Sequence, residues 1–176
     1  VTVPDTIVAL SSPPGASLRA VIRLSGPDAF ALASQVFDPL PDTGRRHTHG
    51  ELRLSEWPAA PASAITFRAP RSYTGEHVVE LWLPGAPPLT RRLLLELQEL
   101  GARLADRGEF TRRAFLNGRL DLSQAEAVLA LTTSENARTL RAALRSLAGG
   151  VRERIDTIKA GLVGVRAHVE AAIDFS

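Results

Sequence analysis

Two charged residues interrupt segments that are otherwise apolar on both faces. Arg23 lies within AVIRL at 20–24, and Glu80 within VVELW at 78–82. A charge in such a segment must be paired or serve a polar ligand, because desolvating it alone costs several kcal/mol. Two readings follow from these residue types. One is a structural ion pair between strands, or side chains snorkelling to water at a sheet edge. The other is a pocket: a carboxylate accepts two hydrogen bonds from a 2-amino-pyrimidinone edge, and a guanidinium fork fits a carbonyl or carboxylate, which together suit a pterin or guanine ring.

A second concentration of charge lies at 103–119, where Arg103, Arg107, Arg112, Arg113 and Arg119 outnumber Asp106 and Glu109. Such a cluster meets phosphates or a poly-carboxylate tail when it binds a ligand, and otherwise forms a solvated helical face. Phe110 and Phe115 give too little aromatic interleaving for base stacking. His47 and His49 alternate as they would on one face of an extended segment, but a metal site needs more ligands than these two. His77 and His168 stand singly. No catalytic residue and no metal site is assigned from the residue types.

The excluded chemistry is better defined. The sequence has no cysteine, which removes disulfides, thiolate catalysis and iron–sulfur clusters. A Walker phosphate loop requires Gly-Lys followed by Ser or Thr, and the single lysine, Lys159, precedes Ala160. Neither a dinucleotide glycine fingerprint, nor an HExxH helix, nor a nucleophile elbow is present.

These residues must be positioned by elements that the composition allows. The chain has 176 residues, 44% hydrophobic and 23% charged, with a formal charge of +2. That is enough for one domain with an appendage or two small ones. No apolar run approaches the roughly 18 residues that span a bilayer, and the first residues lack the basic start of a signal peptide, so a cytoplasmic location away from membranes is expected. All 12 prolines fall between Pro4 and Pro88, which predicts a turn-rich first half and a helical second half. Short β-branched runs predict strands at 6–10, 19–24, 64–67 and 78–83. A helix is predicted after the Ser25-Gly26-Pro27 turn, with Pro27 at its first position, and another over 89–100. Ser123 and Glu126 have capping-box spacing, placing a helix start near Leu122 and its end near Thr133. From Leu140 to Ile173 apolar residues recur in steps of three and four, predicting one unbroken helix that needs a partner helix to cover its stripe. Gly149 and Gly150 within it mark a close helix approach or a bend. The fold class expected is therefore α+β, a small mixed-sheet N-terminal domain with flanking helices over 1–120, followed by an all-α segment over 121–176 that ends in a long helix.

The run GEFTRRAFLNGRLDLSQAEAV at 108–128 resembles the signature of the MnmE (TrmE) family of tRNA-modification GTPases. So do DTIVALSSPPG at 5–15, VIRLSGPDA at 21–29, SYTGEHVVEL at 72–81 and VEAAIDF at 169–175. The resemblance implies a domain that binds 5-formyltetrahydrofolate or a related tetrahydrofolate and dimerises, followed by the first part of a helical domain. Family members act on the wobble uridine of certain tRNAs together with a flavin-dependent partner, MnmG. By motif position the family's folate contacts fall on Arg23, Glu80 and Arg119, where many relatives have Lys at the last. The sequence departs from the family after Glu80, reading Trp82-Leu83-Pro84-Gly85 where relatives often carry His-Gly-Gly. It also stops at Ser176, where relatives continue towards an inserted GTPase domain and a Cys-containing tail. No GTP, potassium or magnesium site is therefore expected on this chain. The expectation is the folate-binding, dimerising part of an MnmE-type protein without GTP hydrolysis of its own, either a piece of a longer chain or a GTPase-less relative. Two alternatives stand beside it: a structural dimerisation module with a degenerate pocket, and a stand-alone folate-dependent one-carbon transferase.

Overall fold

The computed structural model describes residues 5–41, 46–148 and 150–174, with the backbone alone at 150–156, 172 and 174. The chain divides into two units, 1–119 and 120–176.

The first unit is built on a seven-stranded mixed sheet. Its strands are β1 (Ile7–Leu10), β2 (Ser17–Ser25), β3 (Phe37–Asp38), β4 (Arg46–Leu52), β5 (Ala60–Phe67), β6 (Val78–Gly85) and β7 (Arg103–Leu104), in the spatial order β3-β4-β5-β6-β2-β1-β7. Neighbours run antiparallel except β1 and β7, which are parallel. Side chains alternate between faces along each strand. Val8, Ile22, Leu24, Ala64, Val79, Leu81 and Leu83 all point to one face, where α1 (Ala29–Val36) and α2 (Pro87–Glu99) cover them with Leu32, Val36, Leu93 and Leu97. Each fully buried Leu, Ile or Val there contributes about 1.5–3 kcal/mol. The opposite face carries Ala9, Val21, Arg23, Ser63, Ile65, Glu80 and Trp82, and the third helix, α3 (Glu109–Leu116), belongs to this same unit.

Local chemistry sets the helix starts. α2 opens with Pro87 and Pro88, where a missing N–H costs nothing and φ is already helical. α1 starts two residues later than expected. Pro27 precedes the N-cap, Asp28, whose own side chain makes no cap; instead the Asp28 N–H donates to Thr6 Oγ1 at 2.9 Å. The turn between β2 and α1 needs Gly26 at φ +140, since a Cβ would lie 2.6 Å from both Asp5 O and Thr6 Cα.

In the second unit α4 (Leu122–Thr133) and α5 (Ala137–Leu147) form an antiparallel hairpin around Ala127 and Ala143. Its ends are tied by Gln124 Nε2 donating to Leu147 O and Ser146 Oγ donating to Ser123 O, both at 3.2 Å. The capping box is present two residues before the expected one. Asp121 is the N-cap, accepting from the Gln124 N–H at 2.9 Å, while Gln124 Oε1 accepts from the Asp121 N–H at 3.0 Å. Ser123 donates to the Asp121 carboxylate at 2.7 Å. The expected unbroken helix is two helices: α5 closes at Ala148, and α6 runs from Gly150 to Asp174. The glycine pair marks this boundary; Gly149 itself, and the Val151 and Ile155 side chains of the expected stripe, lie outside the described residues. Along α6, Ile158, Leu162, Val165, Val169 and Ile173 are all more than half exposed.

Candidate functional site

The antiparallel register of β2 and β6 sets Arg23 directly opposite Glu80. Arg23 donates through Nε at 2.9 Å and Nη2 at 2.7 Å, both to Glu80 Oε1. No bond to Glu80 Oε2 or from Arg23 Nη1 exists among the described residues. The pair is only partly buried, the Glu80 side chain 13% and that of Arg23 28% exposed, so these free atoms remain within reach of a ligand. The Arg23 guanidinium lies 5.6 Å from the Phe110 ring centroid and 6.0 Å from that of Tyr73, distances at which ring quadrupoles attract a cation. Both aromatic side chains are thus brought from α3 and the 72–77 loop onto the sheet's charged pair. Sequence reasoning missed Tyr73, and its only signal is its place in the SYTGEH motif.

The 72–77 loop is held from three sides. Ser25 Oγ donates to Glu76 Oε2 and shares a hydrogen bond with Thr74 Oγ1, each at 2.7 Å. Asn117 Nδ2 donates to Thr74 O at 2.7 Å, and Tyr73 and Thr111 hydroxyls meet at 3.0 Å. Arg119, exposed, donates through Nε to Ser72 O at 3.1 Å. Gly75 is required here: at φ +78 a side chain is strained, and a Cβ would press to 3.1 Å on Asn117 and 3.3 Å on Arg119. Of the three residues singled out by motif, the structure joins Arg23 and Glu80 directly. Arg119 meets the loop one residue before Tyr73.

The arginine cluster divides. Arg103 and Arg113 turn inward to a network with Asp5, Glu76 and Glu109. Hydrogen bonds from Arg103 hold the buried Glu109 carboxyl down at about 2 against the cost of its desolvation, helped by the Asp106 N–H and Arg113. Desolvation pushes the Asp5 carboxyl up, but Arg103 and Arg113 outweigh it and leave it below the ordinary range. These ion pairs anchor α3, and with it Phe110, to β1 and the 72–77 loop. Arg112 leans on Glu109 at 3.3 Å, and Arg107 is exposed.

Two rows of residues cross the sheet on the face of Arg23 and Glu80. One runs His47–Ile65–Glu80–Arg23–Ala9; the next, two residues along each strand, runs His49–Ser63–Trp82–Val21. The alternation expected of His47 and His49 is present, their ring centroids 4.6 Å apart. No group of three or more His, Cys, Asp or Glu among the described residues is placed to hold a metal ion. His77 packs edge-on against Phe30, and His168 bonds within α6. No helix among the described residues is long and apolar enough to cross a membrane.

Comparison with known proteins matches residues 6–119 to the family described as GTP-binding protein TrmE N-terminus, and residues 122–176 to the MnmE helical domain. Curated relatives include proteins named tRNA modification GTPase MnmE. The one from Thermus thermophilus is 44% identical over 176 residues, which cover 97% of this chain and 41% of the relative. That from Thiobacillus denitrificans is 46% identical over 175 residues, covering 98% and 39%. A third, from Thermotoga maritima, is 37% identical over 172 residues, covering 97% and 38%. The chain therefore spans about two fifths of the length of these relatives.

Proposed function

Because the chain belongs to the family of the TrmE N-terminus, continued by the MnmE helical domain, we propose that it is the folate-binding, dimerising part of a cytoplasmic MnmE-type protein for modification of the tRNA wobble uridine. The observation that carries this reading is the half-used ion pair. Glu80 keeps Oε2 free to accept from the amino and ring N–H donors of a pterin, and Arg23 keeps Nη1 free to donate to its carbonyl. Phe110 and Tyr73 hold the guanidinium in place, and Arg119 supplies a cation at the edge of the Tyr73 loop. The residues present thus fit 5-formyltetrahydrofolate, which when bound carries a one-carbon unit. The tRNA, the flavin-dependent MnmG and a second copy of the chain are the partners this reading assigns. GTP hydrolysis is not among the chain's own tasks, since its single lysine lies outside any phosphate-loop motif.

Calorimetry with 5-formyltetrahydrofolate tests the reading. Binding by the wild-type chain should be at least about tenfold tighter than by a Glu80→Ala variant; equal affinities would overturn it. A second reading, a dimerisation module that takes no ligand, draws on the Arg23–Glu80 pairing itself, and the same titration separates the two.

A further inference from the structure

On the face that carries Arg23 and Glu80 lies a cavity of about 420 Å³. Trp82 and Ile65 give it an aromatic and aliphatic bed. Arg19, His47 and His49 supply cationic or N–H donor groups, and Ser63 adds a hydroxyl bonded to His49 Nδ1 at 3.0 Å. No carboxylate lines it. Its chemistry therefore fits a flat ring that ends in carboxylates.

The sheet register places this cavity beside the charged pair. Ile65 lies across from Glu80, and Trp82 is the next residue of β6 on the same face. Strands about 4.8 Å apart and a two-residue step of about 6.8 Å put His49 some 12 Å from Glu80 along a diagonal, with Trp82 and Ser63 on the way. A ligand whose polar ring edge is held at Glu80 would therefore lead any aromatic extension over Trp82 towards the donors of Arg19, His47 and His49.

We propose that this cavity seats the aminobenzoyl-glutamate tail of the folate, its aromatic ring on Trp82 and Ile65 and its glutamate carboxylates on Arg19, His47 and His49. The inference rests on the folate reading above and adds to it a preference for tails carrying more glutamates. Longer tails bring more carboxylates to donors that make no ion pair with an acidic side chain among the described residues.

Calorimetry on the 176-residue chain with three probes tests it: 5-formyltetrahydropteroate, which has no glutamate, 5-formyltetrahydrofolate, and its triglutamate form. The triglutamate should bind about tenfold more tightly than the pteroate. That ratio should fall below about threefold in Arg19→Gln and in the double variant His47→Gln/His49→Gln. These positions are exposed, and circular dichroism checks that the variants fold. Equal affinity of the wild type for all three probes, or a ratio that persists in the variants, overturns the tail assignment while the folate reading stands. If the wild type binds none of the probes, the folate reading falls and this inference with it.

Discussion

Arg103 grips Glu109 with both ends of its fork, Nη2 to Oε1 at 2.6 Å and Nη1 to Oε2 at 3.0 Å, and the Glu109 side chain is only 1% exposed. Asp5 and Arg113 extend this contact across 108 residues of chain, joining the segment that leads into β1 to α3. Phe110, which flanks Arg23, immediately follows Glu109, so the placing of that ring depends on an ion network outside the pocket.

This network makes stability depend on acidity in a definite window. The Glu109 carboxyl is depressed from 4.5 to about 2 in the folded chain. Its contribution is complete above the unfolded value and is lost as pH falls from 4.5 towards 2. Glu109→Gln removes the charge but keeps the shape, leaving Arg103 and Arg113 under-satisfied. The variant should be less stable by roughly 2–4 kcal/mol at neutral pH, and the gap to wild type should close through that acid window. Urea unfolding at a series of pH values reads both; parallel curves for the two proteins would count against it.

Gly26 offers a test of the β2–α1 turn. Substitution by Ala puts a methyl 2.6 Å from the Asp5 carbonyl oxygen and Thr6 Cα, at a φ of +140 that L-residues rarely adopt. The turn must open, displacing Asp5 from Arg103 and Arg113. A loss of about 2–4 kcal/mol in chemical denaturation is expected, and a loss below about 0.5 kcal/mol would mean that the turn yields without strain.

The start of α4 separates two capping residues. Asp121 accepts the Gln124 N–H, whereas Ser123 only donates to Asp121. Asp121→Ala should cost about 1–2 kcal/mol and Ser123→Ala about 0.5 kcal/mol or less. Thermal melts of both variants decide the assignment, and the reverse order would return the cap to Ser123.

Legibility from sequence followed the range of the interactions. The helices near 29–36, 87–99 and 122–133 announce themselves through periodicity and flanking Pro or cap residues, all local signals. Strands β3 and β7 have two residues each, too few for any period. Strand β4, RHTHGEL, is largely polar and much of it stays exposed, so it is recognisable only by its pairing with β3 and β5. The steps of three and four across Gly149 and Gly150 hid a break because α5 and α6 happen to keep the same apolar phase. Arg23 and Glu80 stood out because charge inside an apolar strand is a local anomaly. The roles of Arg103 and Arg113 stayed hidden because their partners Asp5 and Glu76 are set by tertiary structure, so two members of a cluster read as a ligand patch or a solvated helical face are committed to internal carboxylates.

With Arg23 Nε and Nη2 both donating to a single Glu80 oxygen, the two opposite formal charges cancel within the pair before anything arrives. An incoming anion finds the charge of the guanidinium already offset by Glu80, and an incoming cation finds that of the carboxylate offset by Arg23, while Nη1 and Oε2 keep their hydrogen-bonding capacity. What remains attractive is the residual dipole of a neutral unit, which favours an uncharged heterocycle with donor and acceptor groups side by side. Selection at this spot thus operates by matching polarity patterns, and ions are discriminated against by the absence of any surplus charge to neutralise.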